Sequence, residues 1–139
     1  MRFSQLTEPT PPLGALEIAV LRELWKRGDG AEPHSADARE ILASLSSRRI
    51  TLSTIQATLE RLHRKNLLTR TKISRAYRYK AVVSQSALIG ALIRQMTQQI
   101  AAGELEPVIS GFVDLVGNEH PELLEQLGVA AKRRRAEPR

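Results

Sequence analysis

Thirteen residues of the segment Arg48 to Lys80 carry most of the chemistry this chain offers. Ser53, Thr54, Gln56 and Ala57 form one cluster of short or flat side chains. They offer hydroxyls, an amide and a methyl, which are the groups that can meet base edges and a thymine methyl in a major groove. Around them lie Arg48, Arg49, Arg61, Arg64 and Lys65, with Lys72, Arg75, Tyr77 and Arg78 further on. Cations of this kind suit phosphates, which set register and affinity, while the smaller residues set sequence choice. Between 48 and 80 there are 10 Lys and Arg against Glu60 alone. A local field that strong finds its natural partner in a polyanion. A solvated basic face, or a surface for protein partners, is the blander reading of the same charges.

No other chemistry is placed. The chain has no cysteine, and its three histidines, His34, His63 and His120, lie far apart. None has a second ligand one helical turn away, so no metal or other cofactor is expected. No glycine-rich phosphate loop and no nucleophile motif is present, so the chain does not read as an enzyme. No apolar run approaches a membrane span and no signal sequence precedes Leu13, which points to the cytoplasm, on the nucleoid.

The elements that must position these residues follow from periodicity. The 139 residues divide by charge: residues 1–83 carry +7, residues 84–131 carry −5, and 132–139 carry +4. Residues 1–12, with three prolines, read as a flexible arm. Leu13, Leu16, Val20 and Leu24, thickened by Leu21 and Trp25, mark a first helix ended by Gly28-Asp29-Gly30. Ser35 is the expected cap of a second helix bearing Ala38, Ile41, Leu42 and Leu45. Ser46 to Arg49 form a polar connection. Thr51 caps a third helix whose core face is Leu52, Ile55, Leu59 and Leu62, and Asn66 suits its end. The period then becomes that of strands, over 67–72 and 76–80, with Ile73-Ser74-Arg75 as the turn. Three helices and a basic hairpin give a winged helix-turn-helix domain over 13–83.

Helix signals return at Ser84 and run to Ile100, then resume after Gly103 with Pro107 in the first turn. A short last helix, stopped by Gly128, carries Leu123, Leu124 and Leu127. Residues 84–131 thus form a helical domain too thin to close a core alone. The economical solution is a twofold homodimer held by Leu88, Leu92, Met96, Leu105, Val108, Ile109, Phe112 and Val116. The tail 132–139 reads as basic and disordered. The fold class is mainly α with one small β-hairpin.

Three stretches, LGALEIAVLRELW from Leu13, TLSTIQATLERLHRKNLL from Thr51 and RAYRY from Arg75, are together similar to the penicillinase-repressor family, the BlaI/MecI/CopY type of bacterial regulator. The resemblance covers about residues 13–116. It implies a homodimeric repressor on a dyad-symmetric operator, often with TACA and TGTA half-sites, that blocks transcription. It puts the recognition positions at Ser53, Thr54, Gln56 and Ala57, and the wing contacts near Arg75, Tyr77 and Arg78. Members that answer beta-lactams are cut by an inducing protease before a Phe in an Asn-Phe pair. Here that site is Gly111-Phe112, with Gly in place of Asn, and packing is the competing role of Phe112. The copper-responsive branch uses cysteines, which this chain lacks. The alternatives from other classes are a nucleoid-type binder without sequence preference and a winged-helix adaptor for protein partners.

Overall fold

The computed structural model describes residues 13–28, 35–45 and 49–137. Its elements are α1 (Ala15–Gly28), α2 (Ala38–Ser44), α3 (Leu52–Arg64), β1 (Leu68–Ile73), β2 (Ala76–Ala81), α4 (Gln85–Ile100), α5 (Glu106–Glu119), a 3₁₀ turn (Pro121–Leu123) and α6 (Leu124–Ala136). The expected arm 1–12, Asp29, Gly30, His34 and Arg48 lie outside the described residues.

Local chemistry explains the boundaries. Thr51 caps α3, its hydroxyl accepting from the Thr54 backbone N–H. At the other end, Leu67 N donates to Leu62 O and Asn66 N to His63 O, both at 3.0 Å, while Asn66 sits at φ +62°. That pair of bonds closes a helix with a left-handed residue, a conformation asparagine tolerates. The cap of α2 is Asp37, whose carboxylate accepts from Glu40 N, not Ser35. An anionic acceptor facing four orphan amides is the stronger cap.

Three helices pack their apolar faces into one cluster. Val20, Leu21 and Leu24 of α1, Ile41 of α2 and Ile55, Leu59 and Leu62 of α3 are almost wholly buried. Each such side chain contributes about 1.5–3 kcal/mol relative to exposure. The three on α3 therefore fix its rotation: any other face would bury arginines. Trp25 joins the core, and its indole N–H donates to Val83 O at 2.9 Å.

The hairpin is antiparallel, running from Leu68 opposite Ala81 to Ile73 opposite Ala76. Its turn is Ser74-Arg75, with Ser74 at φ +60°, as tight hairpins with mirror-image turns require. A second pairing escaped the sequence reading. Ala36 and Tyr79 exchange backbone hydrogen bonds at 2.9 and 2.8 Å. One residue of bridge gives no periodicity, yet it ties the start of α2 to the hairpin.

Two compact units result, Met1–Ile93 and Arg94–Arg139. The boundary falls inside α4, later than the expected 83/84, because Ala87 and Leu88 of α4 belong to the first unit's hydrophobic cluster. In the second unit α5 has Pro107 in its first turn, as expected, and no buried residue. Helix α6 runs through Gly128 and on to Ala136. Lys132 to Arg135 are therefore helical, not a disordered tail. One glycine costs a helix only about 1 kcal/mol relative to alanine, and four cations at its C-terminal end favour the helix dipole.

Candidate nucleic-acid interface

Helix α3 turns Ser53, Thr54, Gln56 and Ala57 outward, and all four are exposed. The hydroxyls are organised from within the helix. Thr51 Oγ1 lies 3.2 Å from Ser53 Oγ and 2.8 Å from Thr54 Oγ1. Thr58, fully buried behind them, donates its hydroxyl to Thr54 O at 2.8 Å, so the helix needs no outside partner to satisfy it. Arg61 and Arg64 extend the exposed face toward the helix C-terminus, and Arg49 precedes its start, also exposed.

Lys65 differs from its neighbours. Its ammonium sits 2.6 Å from Glu17 Oε2, an ion pair between the end of α3 and the first turn of α1. Burial pushes the Glu17 carboxyl up. The Lys65 hydrogen bond, the Gly14 N–H and the charges of Lys65 and Arg61 outweigh it and hold Glu17 below the ordinary glutamate range. Lys65 thus joins two helices besides adding charge to the surface.

The hairpin has two faces. Arg70 pairs across the strands with Tyr79, and Lys72 with Tyr77. These four share one face because side chains alternate. The Arg70 guanidinium lies 4.3 Å from the Tyr77 ring centroid and the Lys72 ammonium 5.8 Å, both within cation–π range. Lys72, Tyr77 and the turn residue Arg75 are exposed.

Arg78 does not stand free as the spacing suggested. Its guanidinium donates to Glu40 Oε1 at 2.8 Å and Oε2 at 3.3 Å, to Ser35 O at 2.8 Å and to Ser35 Oγ at 2.9 Å. Asp37 Oδ2 adds a contact at 3.7 Å. The Glu40 carboxylate also faces Arg27 at 3.7 Å. Arg78 therefore clamps the hairpin to α2, and a phosphate would have to displace a carboxylate already in place. An alternating strand must send every second side chain to the face opposite Tyr77 and Tyr79, and here that face meets α2.

Glu60, the one acid between residues 48 and 80, is internally neutralised. Its carboxylate accepts hydrogen bonds from the Tyr79 hydroxyl and from Arg70. The Tyr79 bond does most to hold the Glu60 carboxyl below its usual range, against burial and with Arg70 and His63 assisting. Burial, then the Glu60 hydrogen bond and charge, push the Tyr79 phenol up to about 12. Between α2, α3 and the hairpin lies an open groove of about 400 Å³. Arg39, Gln56, Glu60, Arg70, Arg75 and Tyr77 are among its lining residues. Arg39 and Arg70 were not singled out from the sequence. Charge was their only signal, and many surface arginines share it.

The expected dimer residues divide. Leu88 is 5% exposed and belongs to the first unit's core, a correction that follows from the half of α4 it occupies. Leu92, Met96, Leu105, Ile109 and Phe112 are exposed, with Leu105 and Ile109 each at 59%, and Val108 and Val116 are half-buried. Gly111 and Phe112 lie mid-helix in α5, both exposed. Cutting between them would first require local opening of that helix. Among the described residues no group of His, Asp and Glu could hold a metal. Among the described residues, no helix is long and apolar enough to cross a membrane.

A family model described as penicillinase repressor matches residues 13–128. Two relatives, each called transcriptional regulator BlaI, come from Mycobacterium tuberculosis strains CDC 1551 / Oshkosh and ATCC 25618 / H37Rv. Each is 32% identical over 116 residues, covering 82% of this chain and 80% of the relative.

Proposed function

This chain belongs to the penicillinase repressor family, a family of transcriptional regulators and not of enzymes, and on that premise we propose that it represses transcription as a homodimer bound to a dyad-symmetric operator. Helix α3 enters the major groove and reads bases through Ser53, Thr54, Gln56 and Ala57. Arg39, Arg49, Arg61, Arg64, Lys72, Arg75 and Tyr77 take the phosphates on either side. Arg48 continues that row in the sequence. The single observation that carries this reading is the face shared by α3 and the hairpin. Its small polar groups and exposed arginines point outward, while Glu60 is held by Arg70 and Tyr79.

The second unit supports the dimer. Leu105, at the N-cap of α5, and Ile109 and Phe112 within it recur at i, i+4 and i+7, one helical face, and all three are exposed in the single chain. A contiguous apolar face of that kind marks an interface, and a second copy is the simplest complement to it. Two half-sites on the same side of the duplex, about one helical turn apart or slightly more, follow from twofold symmetry. Occupancy excludes polymerase from the promoter, on the nucleoid.

The test is fluorescence anisotropy at physiological salt. One duplex is the tightest recovered from a randomised library and the other is its scrambled counterpart. Specific binding by such a protein exceeds non-specific binding by a factor on the order of a thousand or more. A gap of that order, at two subunits per duplex, is the expected result. Equal affinity for both duplexes would make the protein a nucleoid-type binder, and no affinity for either would make it a protein adaptor.

A further inference from the structure

Glu60 presents a problem that the repressor reading leaves unsolved. A carboxylate on the DNA-facing helix should repel phosphates, and a glutamine there would seem the better residue. We propose that Glu60 is a positioning residue: it braces the hairpin against α3, fixes the groove between them, and thereby gives the interface part of its sequence selectivity. The proposal rests on the DNA-binding reading above.

Three observations carry it. First, Glu60 lies one helical turn after Gln56, so both share a face of α3, and both line the groove. The brace stands directly behind a candidate base reader. Second, one carboxylate joins two strands. It accepts from Arg70 on β1 and from Tyr79 on β2, so the hairpin is held on both sides of its ladder. Third, the hold is passed outward. Arg70 lies against the Tyr77 ring at 4.3 Å, and the Tyr77 and Tyr79 ring centroids are 6.3 Å apart. The exposed Tyr77 at the groove's edge is therefore set by groups that Glu60 fixes. Tyr79 also bridges Ala36 through its backbone, so the same tyrosine registers the hairpin on the start of α2.

A brace and a mere repulsive charge predict opposite signs. Glu60→Gln removes a negative charge from a basic face, so simple electrostatics makes every duplex bind more tightly. Loss of the brace costs only the duplex that needs the groove held. The expected result is a roughly tenfold loss on the selected duplex, the order of one mismatched base pair. The scrambled duplex should bind as before or more tightly. Tyr79→Phe, which removes one oxygen and leaves Arg70 on Glu60, should shift the ratio the same way by less, and it reads the same quantity should E60Q fail to fold. Tighter binding of both duplexes by E60Q, or an equal loss on both, would overturn the proposal.

The brace has a readout that needs no DNA. The chain has two tyrosines, so in a Tyr77→Phe background Tyr79 alone titrates. Adding Glu60→Gln should bring its ionisation down from about 12 toward the ordinary range near 10. No change would overturn the brace itself. Failure of the unaltered protein to select any duplex would instead overturn the repressor reading, and the selectivity role with it.

Discussion

Arg78→Ala separates two roles for an arginine on a DNA-binding hairpin. Sequence spacing alone makes Arg78 a phosphate ligand. In the folded protein it clamps β2 to α2 through four hydrogen bonds, two to the Glu40 carboxylate and two to Ser35. A hydrogen bond to a charged group contributes about 1.5–3 kcal/mol. The Arg78 side chain is 28% exposed and that of Glu40 37%, so solvent screens much of each bond. Truncation also leaves Glu40 with Arg27 at 3.7 Å, so no carboxylate is stranded. The net cost should be about 2 kcal/mol, enough to shift the folded-to-unfolded ratio by roughly thirtyfold. Urea denaturation followed by circular dichroism measures it. Arg78→Lys should recover little, because an ammonium cannot serve Glu40 and Ser35 in one planar fork. In anisotropy titrations across ionic strength, the slope of log affinity against log salt should not move. Arg75→Ala is the counterpart: Arg75 is exposed in the turn, so stability should hold while the slope falls by about one. A slope change of that size for Arg78→Ala, with stability intact, would refute the clamp and restore Arg78 as a phosphate contact.

Three further outcomes are expected. Gln56→Ala should weaken the selected duplex by about 1–3 kcal/mol and leave scrambled DNA unaffected; equal weakening would remove Gln56 from base reading. Ile109→Asp, at a position 59% exposed in the single chain, should turn the dimer into a folded monomer in sedimentation velocity, and an intact dimer would sink the assignment of α5. Glu17 and Glu60 are both held below their ordinary value of 4.5. Each therefore adds stability that is full above that value and fades as pH falls below it. Urea midpoints measured down through the carboxylate range should drop, and Glu17→Gln should flatten that drop; an unchanged profile would show that the Lys65 pair contributes nothing.

The sequence by itself determined the elements, the charged face and the order in which they follow. Ile55, Leu59 and Leu62 at helical spacing rotate α3 into the core, so Ser53, Thr54, Gln56 and Ala57 have nowhere to go but outward. Thr51 and Asn66 announce both ends of α3, since capping depends on a few adjacent residues. The hairpin and its turn were legible for the same reason. Tertiary structure decided which of those charges are free. Arg78 and Arg75 lie three positions apart and look alike in sequence, but Ser35 and Glu40, some forty residues earlier, meet only the first. Glu60 reads as a lone acid in a basic run until the fold brings Arg70 and Tyr79 onto its carboxylate. The same holds for Leu88, whose apolar character fits a dimer seam or a core equally well, and for Lys132 to Arg135, whose charge suits a tail or a helix end. Local propensity and periodicity act over a few residues, whereas a side chain's partners are chosen by contacts between segments far apart in the chain.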